Sequence, residues 1–219
     1  QAIKSIWDCW ENGADLDFKG EFYNHTLMTP LFNPGKSEYG LPSIYLAGVG
    51  PLMTSVAAEV ADGLMVHPFH TTKSLNKITI PAVNKGLQIS NNRDFKISVG
   101  VMIAAADEQQ ELDKAIEGLR TQLGFYGSTP AYKVVLEEHG WEEKHLELNR
   151  LSKQGAWGEM SKLINDEMLE KIAVVGSINS AKDQIYERYS KIAERVAPTF
   201  FNPNAEAPFN FIKAFNERP

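Results

Sequence analysis

Four short apolar runs, each followed by a stretch of helical periodicity, constrain this 219-residue chain more than any other feature. They occupy residues 43–48, 63–66, 95–105 and 172–175. Each is apolar almost throughout instead of alternating with polar residues, the pattern of strands covered on both faces, as in a parallel sheet. The segments 52–61, 71–90, 107–123 and 180–196 repeat apolar residues at helical spacing. Thr71 or Thr72 is placed to cap the second of these, Asp107 the third and Ser180 the last. Strand followed by helix, four times over, predicts the α/β class, with neighbouring parallel strands joined by right-handed crossovers. The pattern itself does not separate a doubly wound sheet from part of a barrel.

Upstream, residues 2–11 place Ile3, Ile6, Trp7 and Trp10 on one helical face, and Asn12-Gly13 closes the segment like a C-cap. Residues 16–42 mix Gly, Pro, Asn and aromatics without a sustained period, which reads as a long excursion with a short hairpin around 18–23. Residues 129–138 and 148–169 read as helices of an insertion, and 208–216 as a last helix. The expected organisation is a single domain over 1–219: a helix and long loop (1–42), four β/α units (43–196) and a tail (197–219).

Charge and composition remove several function classes. A formal net charge of −6 with no run of Lys or Arg gives no footprint for nucleic acid. The longest apolar stretch, 98–106, reaches about half of the ~20 residues a spanning helix needs, so no membrane role is expected. Residues 1–12 carry Lys4, Asp8 and Glu11 and have no apolar signal region. The single cysteine, Cys9, reads as a small buried hydrophobe and fits a reducing, cytoplasmic setting. His139 and His145 flank Glu142 and Glu143 without the spacing of a metal motif, so no metal is expected. No Gly-x-Ser-x-Gly elbow indicates nucleophilic catalysis.

Several motifs carry a resemblance. Ile6-Trp7-Asp8-Cys9-Trp10 is followed by Leu16-Asp17-Phe18-Lys19-Gly20-Glu21-Phe22-Tyr23, then Pro42-Ser43-Ile44-Tyr45-Leu46-Ala47-Gly48-Val49-Gly50-Pro51. Ala61-Asp62-Gly63-Leu64-Met65-Val66-His67-Pro68 and Ala173-Val174-Val175-Gly176-Ser177 come after them. In this order the chain resembles the luciferase-like monooxygenase superfamily, most closely its branch of oxidoreductases using the deazaflavin coenzyme F420. The resemblance implies a partial TIM (β/α)8 barrel: strands five to eight with their helices, plus a helical insertion. It implies that the first four strands are absent, leaving the catalytic residues unknown and the isolated chain inactive. It further implies coenzyme F420 or FMN as cofactor, a small organic substrate and hydride transfer. A flavin-dependent monooxygenase and a non-catalytic, self-associating half-barrel are the alternatives.

In a (β/α) barrel the active site lies at the C-terminal strand ends. Ala47, Gly48, Val49, Gly50 and Pro51 form one such end; by resemblance the loop contacts cofactor, and otherwise it is a strand-to-helix turn. Gly176 and Ser177 form another, where backbone amides can meet a phosphate or simply start a helix. His67 and His70 follow the second strand and are candidate substrate contacts, since a histidine hydrogen-bonds anions and exchanges protons near neutral pH. Tyr126 and Tyr132 resemble a substrate-side wall, the bland reading being core aromatics. Half a barrel exposes two sheet edges and an inward face, expected to carry Ile, Val, Leu and Met, which predicts a homodimer or coverage by residues 16–42 or 198–219.

Overall fold

The computed structural model describes residues 1–203 and 206–217, so residues 204, 205, 218 and 219 of the expected tail lie outside the described residues. Two compact units divide the chain between Ile44 and Tyr45. In the first, α1 (Ala2–Asn12) ends at Gly13, whose N–H returns to the Cys9 carbonyl, and Cys9 is buried as expected of a small hydrophobe. A hairpin pairs β1 (Phe18–Lys19) with β2 (Asn24–His25) in antiparallel register. The Gly20 amide closes it on the Tyr23 carbonyl at 2.9 Å.

The second unit begins with β3 (Tyr45–Gly48), α2 (Gly50–Val60) and β4 (Gly63–Val66). A helical stretch follows in three parts: α3 (Thr72–Ser74), a π-helical turn (Leu75–Thr79) and α4 (Ile80–Ser90). The long strand β5 (Lys96–Ala105) leads into α5 (Gln109–Ser128), a 3-10 turn (Pro130–Tyr132), α6 (Lys133–Glu137), α7 (Glu142–Lys153), α8 (Trp157–Met160) and α9 (Asp166–Ile172). The chain then forms β6 (Val174–Gly176), α10 (Ile178–Tyr189), β7 (Arg195–Phe200) and α11 (Glu206–Asn216).

The sheet is parallel throughout, as expected, with β3, β4, β5 and β6 hydrogen-bonded in that order. A fifth strand was not anticipated: β7 lies where the sequence pattern extends a helix to residue 196. Ser98 and Val99 pair with Met65 and Val66 on one side and with Arg195 and Val196 on the other, so β4 and β7 flank β5. Ile103 pairs with both Val174 and Phe200, which puts β6 on the β4 side, beyond that strand's end. The short run around Val174 is therefore a cap on the end of β5, and β7 is the strand that widens the sheet. Pro198 obscures β7 in the sequence: proline lacks an N–H and is tolerated only at a sheet edge, where β7 sits.

Side chains alternate across β5. Ile97, Val99, Val101, Ile103 and Ala105 join a core with Ala57 and Ala58 of α2, Val83 of α4, Ile185 of α10 and Phe211 of α11. Met102 and Ala104 face the other way, into a second core with Leu119 and Leu123 of α5, Leu148 of α7 and Met168 of α9. Fully burying each Val, Ile, Leu, Met or Phe among these side chains contributes roughly 1.5–3 kcal/mol. The face shared with Met102 is covered only at its C-terminal half: Ala47 and Thr199 are exposed, Met65 is 48% exposed and Ser98 is half-buried. The aliphatic residues expected on an open inward face thus turn toward helices instead, and of the expected types the open face carries Met65.

Local chemistry redraws three boundaries. Asp107 does not cap α5; its carboxylate accepts the Ile178 amide at 3.2 Å, tying the end of β5 to α10. Ser180 is the recipient, not the cap: Ser177 Oγ accepts its N–H at 3.3 Å. The helix expected over 148–169 breaks at Gly155, whose φ of 69° suits glycine. It resumes in the short α8 and, after a 3-10 turn, in α9, where the Asn165 side chain accepts the Met168 amide.

Candidate functional site

The ends of β3 and β4 are neighbours in the sheet, so the residues following each strand share one rim. Gly50 stands at φ 76°, which lets the chain turn from β3 straight into α2, and a Cβ there would meet nothing within 4 Å. Gly48 is closer set: a Cβ would lie 3.2 Å from the Thr54 amide nitrogen and from Leu64 Cδ1. No side chain caps the first turn of α2, whose N-cap is Val49, so its leading amides are available to an electronegative group.

After β4 the segment His67-Pro68-Phe69-His70 is held by its own hydrogen bonds. The Phe69 amide donates to His67 Nδ1 at 3.1 Å. His70 Nδ1 lies 2.9 Å from the His67 carbonyl; a carbonyl only accepts, so this nitrogen carries the proton. His70 Nε2 then accepts from the Tyr189 hydroxyl at 3.2 Å. Burial lowers the His70 pKa to about 4, its bond to the His67 carbonyl opposing that shift. Burial also lowers the pKa of the half-buried His67.

The excursion after β5 returns over this rim. Tyr132 stacks on the His67 ring with centroids 4.4 Å apart, and Tyr126 meets it edge-on at 4.7 Å. Burial, with the charge of Tyr126 second, raises the Tyr132 pKa. Thr71 caps α3 in a reciprocal box with Ser74, and its hydroxyl is hydrogen-bonded to His139 Nε2 at 2.9 Å, while His139 stacks on Trp141. Buried His145 donates from Nδ1 to the Gly127 carbonyl at 2.8 Å. Both histidines of the insertion thus make structural ties, and among the described residues no three His, Cys, Asp or Glu side chains cluster as metal ligands.

One cavity at this rim is lined by Gly48, Val49, Gly50, His67, His70 and Tyr132, with Thr54, Ile78 and Thr79 added. Tyr126 reaches it through its contacts with His67 and Tyr132. Ala47 is exposed on the open sheet face, and Pro51 is exposed in the first turn of α2. Gly176 and Ser177 are elsewhere, at the end of β5, where the Gly176 carbonyl accepts the Ala106 amide and Ser177 caps α10. Sequence reasoning did not find Ile78 and Thr79, which a π-helical turn brings to the rim and whose pattern is that of an ordinary helix. Nor did it find Tyr189, which lies 119 positions from its partner His70.

Among the described residues no helix is long and apolar enough to cross a membrane. A parallel α/β sheet whose cavity opens at its C-terminal strand ends, between two β-to-α loops, is the construction of enzymes that bind cofactors and small molecules there. The profile of the luciferase-like monooxygenase family matches residues 1–195, and the chain belongs to that family. It is 43% identical over 208 residues to an uncharacterised protein of Mycobacterium tuberculosis, covering 94% of this chain and 61% of that protein. It is 27% identical over 202 residues to the 5,10-methylenetetrahydromethanopterin reductase of Archaeoglobus fulgidus, covering 89% and 56%. The chain thus spans about three fifths of the length of these curated relatives. Among solved structures, the coenzyme F420-dependent tetrahydromethanopterin reductase of Methanopyrus kandleri superposes with a TM-score of 0.75 at 20% identity, covering 96% of this chain and 59% of the other. An F420-dependent secondary alcohol dehydrogenase in complex with an F420-acetone adduct superposes at 0.62 and 20% identity, covering 93% and 55%.

Proposed function

We propose that this chain carries the cofactor loop and one substrate wall of an F420-dependent oxidoreductase acting on a small organic molecule, and that its parallel sheet is a segment of a barrel wall. The observation that carries this reading is the convergence of the Gly48–Gly50 backbone, His67 and Tyr132 on one cavity at the ends of two adjacent parallel strands. Likeness to the F420-dependent tetrahydromethanopterin reductase and the F420-dependent secondary alcohol dehydrogenase supports F420 in preference to FMN. The residues present suit such a group. The open space at Gly50 admits an approaching ligand, and the uncapped first turn of α2 offers amide donors to its phosphate. When bound, the deazaflavin supplies hydride transfer. The chain's own part is to hold the cofactor through Gly48, Val49 and Gly50, to enclose the substrate with His67, Tyr126 and Tyr132, and to exclude water. Gly176 and Ser177 complete the proposed cofactor contacts at the far end of β5.

The test is a fluorescence titration of the 219-residue chain with F420 and, in parallel, with FMN. Saturable binding of F420 that weakens in Gly50→Val is expected. Saturable binding of FMN alone would move the assignment to the flavin monooxygenases, and absence of both would leave the cavity without its proposed occupant.

A further inference from the structure

The loop after β4 does more than place a histidine at the rim, because it fixes which nitrogen of that histidine carries the proton. The Phe69 amide donates to His67 Nδ1, so that nitrogen is the acceptor and the proton of the neutral ring sits on Nε2. The described residues give Nε2 no partner. The ring lines the cavity, stacked on Tyr132 and met at a right angle by Tyr126, which also touches Tyr132. The carbonyl of the same residue receives the proton of His70 Nδ1, and His70 Nε2 in turn receives the Tyr189 hydroxyl. His70 and Tyr189 are both buried. Their bonds therefore persist without water competing for the same groups, and they brace the backbone from which the His67 ring is hung.

We infer that His67 is a fixed hydrogen-bond donor, Nε2–H, for an oxygen of the substrate, a carbonyl or carboxylate, and that buried His70 and Tyr189 are its positioning residues. This rests on the proposed substrate role of the cavity but goes beyond it: it gives the chemical class of the contacted group and a function for two buried side chains that bond each other. A donor that stays neutral stabilises an oxygen acceptor without bringing a full charge into the site. The charged groups around the pair are few: Arg188 lies near enough to His70 to disfavour its protonation, and His67 acts in the same direction.

The experiment is nitrogen-15 NMR of the histidine side chains in the uniformly labelled 219-residue chain without cofactor. His67 is expected as the Nε2–H tautomer near neutral pH, and its Nε2 proton is expected to move downfield on titration with acetone or acetate but not with guanidinium. A His67 found mainly as Nδ1–H, or one that ignores both oxygen probes, overturns the donor assignment. Positioning is tested on variants. His70→Asn keeps an N–H in place of Nδ1 and is expected to preserve the His67 tautomer. Tyr189→Phe and His70→Leu are expected to admit a substantial Nδ1–H fraction, because the brace on the His67 carbonyl is loosened. An unchanged tautomer in both of these variants overturns the positioning role, and if Tyr189→Phe fails to fold, the pair of His70 variants decides. None of these readings depends on F420 binding. A chain that binds no cofactor yet shows the donor, or the reverse, tells the two proposals apart.

Discussion

Acid should weaken this fold through His70 before it weakens it through most surface groups. The folded-state pKa of His70 is lowered from 6.5 to about 4, chiefly because burial disfavours the imidazolium. Below pH 6.5 the unfolded chain takes up a proton that the folded chain refuses. The stabilisation is thus complete above the unfolded value, declines as pH falls, and is lost by the folded value. The full displacement corresponds to about 3 kcal/mol, of which about 2 kcal/mol has gone by about pH 5. Replacing His70 by Asn keeps a donor for the His67 carbonyl, removes the titration, and takes from the Tyr189 hydroxyl its histidine acceptor at a cost of about 1–2 kcal/mol at neutral pH. Urea unfolding followed by tryptophan fluorescence at about pH 7.5 and about pH 5 measures both terms. His67 and His139, whose pKa values burial also lowers, titrate in both proteins, so the difference between the two slopes isolates His70. The wild type should lose about 2 kcal/mol more than the variant over this interval. Equal losses would falsify the burial argument and with it the neutral, doubly bonded His70.

Gly86→Ala should destabilise by on the order of 3 kcal/mol in thermal unfolding, because its Cβ would sit against the Ser55 carbonyl and force α2 and α4 apart. Gly50→Val meets no atom but must hold φ near 76°, so it should cost about 1–2 kcal/mol of stability and weaken F420 binding; an unchanged dissociation constant would make that loop a turn and nothing more. Tyr132→Ala removes the stack on His67, about 1 kcal/mol, and exposes the ring to water. The His67 pKa, followed by NMR titration, should rise toward the ordinary histidine value, and a pKa that stays put would mean that Tyr132 contributes nothing to its burial.

Continuous apolarity was a reliable guide where a strand is buried on both sides. β5, the most deeply embedded strand, is recognisable from Ile97 to Ala105 because one face meets helices along its length and the other over its C-terminal half. β7 fails the same test for a physical reason: Ala197, Pro198 and Thr199 are exposed, so at the sheet edge nothing selects for apolar residues, and Glu194-Arg195 where it begins reads as the end of a helix. Val174 and Val175 do form the parallel strand beside β5 that the pattern predicts, but the apolar run does not reveal that β6 pairs only with the last residues of β5.

The site divides along a similar line. Glycines after a strand announce a backbone that must turn or admit a ligand, and Gly48 and Gly50 could be read in that way from the sequence. Histidines after a strand announce only a place, not a role. His67 and His70 are three positions apart and look equivalent in the string, yet one ring lines the cavity with an unpaired nitrogen while the other is buried and doubly bonded. What separates them is Tyr189, supplied by a helix whose own periodicity accounts for a buried aromatic without reference to any histidine. A hydrogen bond across 119 positions leaves no local trace, because the chain between its ends is free to vary so long as α10 returns to the same place. The donor at the rim and its brace are thus products of topology: β4 places His67, the excursion after β5 places Tyr126 and Tyr132, and α10 places Tyr189. Only folding leaves one histidine of the pair with a free ring nitrogen at the cavity and the other buried behind it.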